Sequence, residues 1–217
     1  MTKRILLILF AGTLLFSAPA SADSVTITNP GFEATGTGVP GWTVGYGGAG
    51  VYTPGASQYP GGIPEGTKVA WTKDASISQV LPTTLQPGLV YTLLVDVGYR
   101  LDNSSGPWTG FTISLLAGNT VIASSSAGTP AAGQFITALA SFTALAGDPL
   151  IGQTLQILLS VNDPYPYQVN FDNVRLDTSA APNLQGSQTP TSQVPEPGTL
   201  ALIGTGLLGL IRRAYRR

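Results

Sequence analysis

The 217-residue chain contains no cysteine and no histidine, and charged residues make up only 10% of it. Without cysteine there is no disulfide framework and no thiolate chemistry. Without either residue type, the usual zinc ligand sets, haem ligation by His or Cys, and the Ser-His-Asp and Cys-His catalytic arrangements are all excluded. What remains for chemistry is carboxylates, hydroxyls, amides and aromatics. Basic residues are scarce away from the ends. Of ten Lys and Arg, Lys3 and Arg4 lie near the N-terminus and Arg212, Arg213, Arg216 and Arg217 at the C-terminus. Between residues 24 and 193, nine acids face only Lys68, Lys73, Arg100 and Arg175, a net charge of about −5. Such a domain cannot neutralise a row of phosphates, which excludes nucleic acid as a partner.

The two ends have a different character. Residues 194–217 read VPEPGTLALIGTGLLGLIRRAYRR: a Pro-Glu-Pro tripeptide, an uncharged apolar run over 198–211, and an arginine cluster. As a helix the apolar run reaches roughly 21 Å, against a hydrocarbon core of roughly 30 Å. Arginines snorkelling to the headgroups narrow that gap, and their charge keeps the tail cytoplasmic. A single transmembrane helix is therefore expected here. Pro195, Glu196 and Pro197, the helix, and Arg212 and Arg213 together resemble the PEP-CTERM sorting signal of Gram-negative bacteria. That resemblance implies an exosortase-type processing enzyme as partner and transient residence in the inner membrane. It also implies a final location at the cell surface or in the extracellular matrix. The N-terminus agrees with export: Lys3 and Arg4, an apolar stretch over 5–16, and Ala20-Ser21-Ala22 form a signal peptide over 1–22 with a helical core.

The exported part, residues 23–177, spans 155 residues, enough for one domain with its own core. Gly and Pro are plentiful, and apolar residues alternate with polar ones in short runs. The clearest is 91–99, where Tyr91, Leu93, Val95, Val97 and Tyr99 share one face. Phe111, Ile113 and Leu115, the Gly118-Asn119 turn and the return over 121–125 make a hairpin. Further strands are expected over 25–28, 68–71, 76–81, 135–143, 154–161 and 168–176, with the stretch 45–66 as loop. The fold class is all-β, an antiparallel sandwich of jelly-roll type. Residues 178–193 read as a flexible linker, and 194–217 as the sorting segment.

Candidate site residues come from the ends of this domain. In QVNFDNVRLD the apolar phase slips by one residue at Asp172-Asn173, so a bulge or a doubly covered strand places Asp172 close to the core. A buried carboxylate needs a partner. Turn amides, Arg175, Lys68 or Lys73 would serve; so would a calcium ion shared with Glu33, which follows the first strand between residues of buried type. The framework ITNPGFE, PGW and VNFDNVRL resembles galactose-binding-like jelly rolls that serve as carbohydrate-binding modules. That resemblance implies a structural calcium held by the first and last strands, here Glu33 and Asp172. Trp108, Tyr165 and Tyr167 stand in loop-like settings, where an aromatic face stacks on a sugar or packs under its own loop. The reading that follows is an exported, non-catalytic protein that binds glycan or extracellular polysaccharide, or adheres. The alternatives are a structural matrix protein without a ligand site and a glycoside hydrolase using a carboxylate pair.

Overall fold

A computed structural model describes residues 23–102, 108, 110–161 and 168–182. The signal peptide, the sorting segment and most of the expected linker lie outside these residues, so the two expected helices do too. The chain divides after Ala181, and the description concerns the part before that point.

Eleven strands follow in chain order: β1 Asp23–Ser24, β2 Thr43–Val44, β3 Gly48–Tyr52, β4 Val69–Lys73, β5 Ser76–Thr84, β6 Leu89–Tyr99, β7 Phe111–Ala117, β8 Thr120–Ser125, β9 Gln134–Ala144, β10 Thr154–Val161 and β11 Gln168–Ala180. They form two antiparallel sheets. The first runs β3-β4-β11-β6-β9, with β1 also on β11, and the second runs β2-β5-β10-β7-β8. Alternation explains the sandwich: Leu93, Val95 and Val97 of β6 and Phe171, Val174 and Leu176 of β11 face Ile113 and Leu115 of β7 and Leu155, Ile157 and Leu159 of β10. All are buried. The expected hairpin is β7–β8. Three elements differ from expectation. No strand forms over 25–28: the first strand is Asp23–Ser24, and past it only the Val25 N–H still bonds to β11, at the Leu176 carbonyl. β3 lies inside the stretch taken as loop, because its GAGVY sequence is carried by pairing with β4 rather than by side-chain alternation. β11 extends to Ala180, three residues into the expected linker, since Thr178–Ala180 still pair with Tyr91, Val90 and Leu89.

β11 is the middle strand of the first sheet, between β4 and β6. Its register shifts between Asp172 and Arg175, and Asn173 has a φ of 48°. The slip in apolar phase is this bulge, which returns Val174 to the core while Asp172 points away from it. The face of the sheet opposite the core is not left to solvent at this point, because residues 53–68, between β3 and β4, fold back across it. Tyr59 of that segment is buried at 2% exposure.

The core and the outer face are expected to respond differently to truncation. Leu93→Ala, in the fully buried centre of β6, should cost about 2–5 kcal/mol in urea unfolding. Leu139→Ala, whose side chain is 53% exposed on β9, should stay within about 0.5 kcal/mol.

Candidate active site

Two rows of cross-strand neighbours build the covered face. In the first, Gly50 of β3, Trp71 of β4, Asn170 of β11, Gly98 of β6 and Phe135 of β9 stand side by side. In the second, Asp172, Asp96 and Thr137 do the same. Residues 53–68 dock on both rows. The Tyr59 hydroxyl donates to Asn170 Oδ1 at 2.7 Å, and its ring packs on Phe135 at 4.5 Å between centroids. The Glu65 N–H donates to Asp172 Oδ2 at 3.0 Å.

The two carboxyl groups of the second row sit in different surroundings. Asp96 accepts from the Thr137 hydroxyl and from Asn173 Nδ2 at 2.8 Å, with the Arg175 guanidinium 3.7 Å away. Asp172 has no exposed surface and receives two backbone N–H groups, from Glu65 and from Asn173 at 2.8 Å. Burial pushes its pKa up; the two N–H bonds oppose this in part, and the neighbouring Glu65 and Asp96 charges add to the rise, leaving it at about 7. Among the partners weighed in the sequence, turn amides hold Asp172, while Arg175 reaches Asp96. Near neutral pH, Asp172 is thus partly protonated, and a buried carboxyl group with a raised pKa is a candidate acid–base group.

Glu33 plays another part. Its carboxylate accepts from the Thr67 and Lys68 N–H groups, both at 2.7 Å, and from the Thr67 hydroxyl at 3.0 Å, while Lys68 Nζ donates to its backbone carbonyl at 2.7 Å. Burial alone would raise its pKa, but these bonds and the Lys68 charge outweigh burial and hold it below the ordinary value. Gly66 sits here at a φ of 60°, and a Cβ on it would come within 2.3 Å of Glu33 Oε1. Glu33 therefore clamps one end of residues 65–68 and Asp172 holds the other, each on its own donors. Among the described residues no three acidic side chains converge. Trp108 is half-buried and packs on Tyr99 and Phe111, with ring centroids 5.2 and 6.1 Å away. Tyr165, Tyr167 and the sorting residues Pro195, Glu196, Pro197, Arg212 and Arg213 lie outside the described residues.

Comparison with known proteins decides the family. The model for HpiC1-like proteins, described as HpiC1 cyclase, matches residues 23–177. This chain belongs to the HpiC1-like cyclase family. A cyclase from Fischerella sp. TAU is 30% identical, with a TM-score of 0.67 over 75% of this chain and all of that one. The Stig cyclase FisC from the same source, in complex with (3Z)-3-(1-methyl-2-pyrrolidinylidene)-3H-indole, is 31% identical at the same coverage and TM-score. A third, a Fischerella sp. TAU cyclase in complex with 4-(1H-indol-3-yl)butan-2-one, is 30% identical with a TM-score of 0.66, covering 74% of this chain and 99% of that one. No curated protein matches significantly. The PEP-CTERM protein-sorting motif matches residues 193–217, which marks this HpiC1-like chain as a sorted, membrane-anchored and then exported protein processed by an exosortase-type system.

The family match overturns the non-catalytic, glycan-binding reading: the family whose model covers this sandwich is one of cyclases. The sequence pointed to Asp172, and to Tyr59 only as one of several loop aromatics, but not to Asn170 or Asp96. Asp96 and Asn170 were visible as polar residues in the outward phase of apolar strands, which is the signal that could have found them.

Stability should report the state of Asp172. A folded pKa raised to about 7 from the 3.8 of the free group means that its contribution is full below the unfolded value and is lost as the pH rises through the folded one. Asp172→Asn should therefore gain melting temperature relative to the wild type between about pH 5 and about pH 8. An unchanged difference across that range would mean that Asp172 is an ordinary ionised carboxylate.

Proposed function

We propose that this protein is a cyclase in which Asp172 is the general acid, closing a ring within a flat aromatic substrate of indole type. The observation that carries the reading is a fully buried carboxyl group, its pKa pushed up to about 7 by burial, on the central strand of a covered sheet face in a member of a cyclase family. Two relatives, both cyclases, are in complex with indole compounds, and the face around Asp172 offers aromatic surface from Trp71, Tyr59 and Phe135. With no histidine or cysteine in the chain, a carboxyl group is the proton donor of choice at neutral pH.

The chemistry balances without a further reactant. Asp172 gives its proton to the substrate's π-system; the resulting cation is attacked by a second π-bond of the same molecule, forming the new C–C bond; and a proton leaves the product to restore the acid. The product is an isomer of the substrate. Asp96, held by Thr137, Asn173 and Arg175, supplies negative charge beside the cation. The tyrosines stay neutral and act as hydrogen-bond donors. Burial first, partly countered by Arg100, pushes the Tyr52 hydroxyl up to about 12, and burial raises Tyr59 as well.

The test uses the full chain with an indole bearing an unsaturated side chain, followed by chromatography and mass spectrometry for an isomer of unchanged mass. The wild type should form it, with kcat/KM falling as the pH rises above about 7. Asp172→Asn should lower the rate by at least roughly 100-fold. Retention of the wild-type rate by Asp172→Asn would remove Asp172 from the mechanism.

A further inference from the structure

Asp172 has no exposed surface, so a substrate reaches it only after residues 59–65 lift from the sheet. That stretch meets β11 at two side chains two positions apart. One is Asp172, through the Glu65 N–H; the other is Asn170. Asn170 is fully buried, and its amide is used on both sides: Oδ1 accepts from the Tyr59 hydroxyl at 2.7 Å and from the Tyr52 hydroxyl at 3.2 Å, while Nδ2 donates to the Ala70 carbonyl at 3.1 Å. The bond to Ala70 fixes which way the amide faces, so an acceptor and not a donor meets the two hydroxyls.

The two tyrosines differ in what else holds them. Tyr52 ends β3, pairs with Val69, and carries the Arg100 guanidinium 5.4 Å from its ring centre. Tyr59 belongs to a turn closed on itself by the Gly62 N–H to the Tyr59 carbonyl. Its ring sits over Gly98, where a Cβ would lie 2.6 Å from the hydroxyl oxygen and 2.5 Å from Phe135. Two clefts flank this turn, one of about 330 Å³ reaching Gln134 and Phe135 and one of about 520 Å³ reaching Gly66 and Thr67, and both are lined by Pro60, Gly62 and Ile63. The turn is the wall between them, tied to the sheet at the Tyr59 hydroxyl.

We infer that Asn170 is a positioning residue that governs access to Asp172: it acts through Tyr59 to hold residues 59–65 on the sheet, and a flat aromatic substrate enters when that hold is released. The access half of this inference rests on Asp172 being the proton donor; the hold itself does not.

Backbone hydrogen exchange on the full chain tests it, comparing the wild type with Tyr59→Phe, Asn170→Ala and the double variant. Amides of residues 59–65 should exchange about tenfold faster in Tyr59→Phe, because a buried partner has lost its bond. Amides in β6 and β10 should be unchanged, and the double variant should exchange no faster in this stretch than Asn170→Ala alone. The association rate of 4-(1H-indol-3-yl)butan-2-one should rise in Tyr59→Phe and change less in Tyr52→Phe. Unchanged exchange over 59–65 in Tyr59→Phe, or an increase spread evenly over both sheets, would overturn the inference. Should Asn170→Ala fail to fold, Tyr59→Phe decides alone, since it keeps the ring and its contact with Phe135. Failure of the ketone to bind any variant, with exchange as expected, would count against the substrate class while supporting the hold.

Discussion

Desolvation of one carboxyl group, that of Asp172, is the constraint to which the rest of this face is fitted. Taking a carboxylate out of water is costly enough that the group keeps its proton instead. The bulge at Asp172–Asn173 turns the side chain out of the sandwich core, and the segment 59–65 closes over it, so Asp172 has no exposed surface. Neighbouring negative charge reinforces the effect. The Arg175 guanidinium lies 3.7 Å from Asp96, so the cation of this face pairs with Asp96.

The covering segment has to be held without a disulfide, since the chain has no cysteine. Polar attachments do this, among them the bonds of Gln58 to the Leu101 N–H and the Asp102 carboxylate. Glu33 grips Thr67 and Lys68, Asp172 takes the Glu65 N–H, and Asn170 takes Tyr59. Glycine makes two of the attachments sterically possible: Gly66 leaves room for the Glu33 carboxylate, and Gly98 leaves room for the Tyr59 hydroxyl and the Phe135 ring. Hydrogen bonds to single side chains are weaker than strand pairing, so the segment is the part of the site with the lowest cost of opening. The proposed site, dry for its acid and open for its substrate, needs such a difference.

Much of the fold was legible because it rests on periodicity. The alternation in β6, β7 and β10 names the core, and the slip at Asp172-Asn173 announces the bulge. β3 escaped notice because Gly48, Ala49 and Gly50 carry no alternation, and it exists through its register with β4. The site was legible only in part. Glu33 and Asp172 stood out as acids among buried types, but their donors come from residues 65–68, a long-range closure that spacing does not encode. The pairing of Asp172 with Asp96 across β11 and β6 is likewise a matter of register. Without it no carboxyl pair of unequal character was visible, which is why a non-catalytic function was the natural reading. The sorting signal was different: its parts are contiguous, so the residues alone carried it.

Export and the proposed ring closure are compatible requirements. A domain that depends on neither thiols nor a disulfide is indifferent to the redox state of its destination, and the proposed proton donor is set by burial. The central claim is the protonation state of that donor. A carbon-13 NMR titration of the carboxyl carbons, with the Asp172 signal assigned by comparison with Asp172→Asn, measures it directly. The account predicts a midpoint near 7; a midpoint at the ordinary aspartate value, about 4, would contradict it.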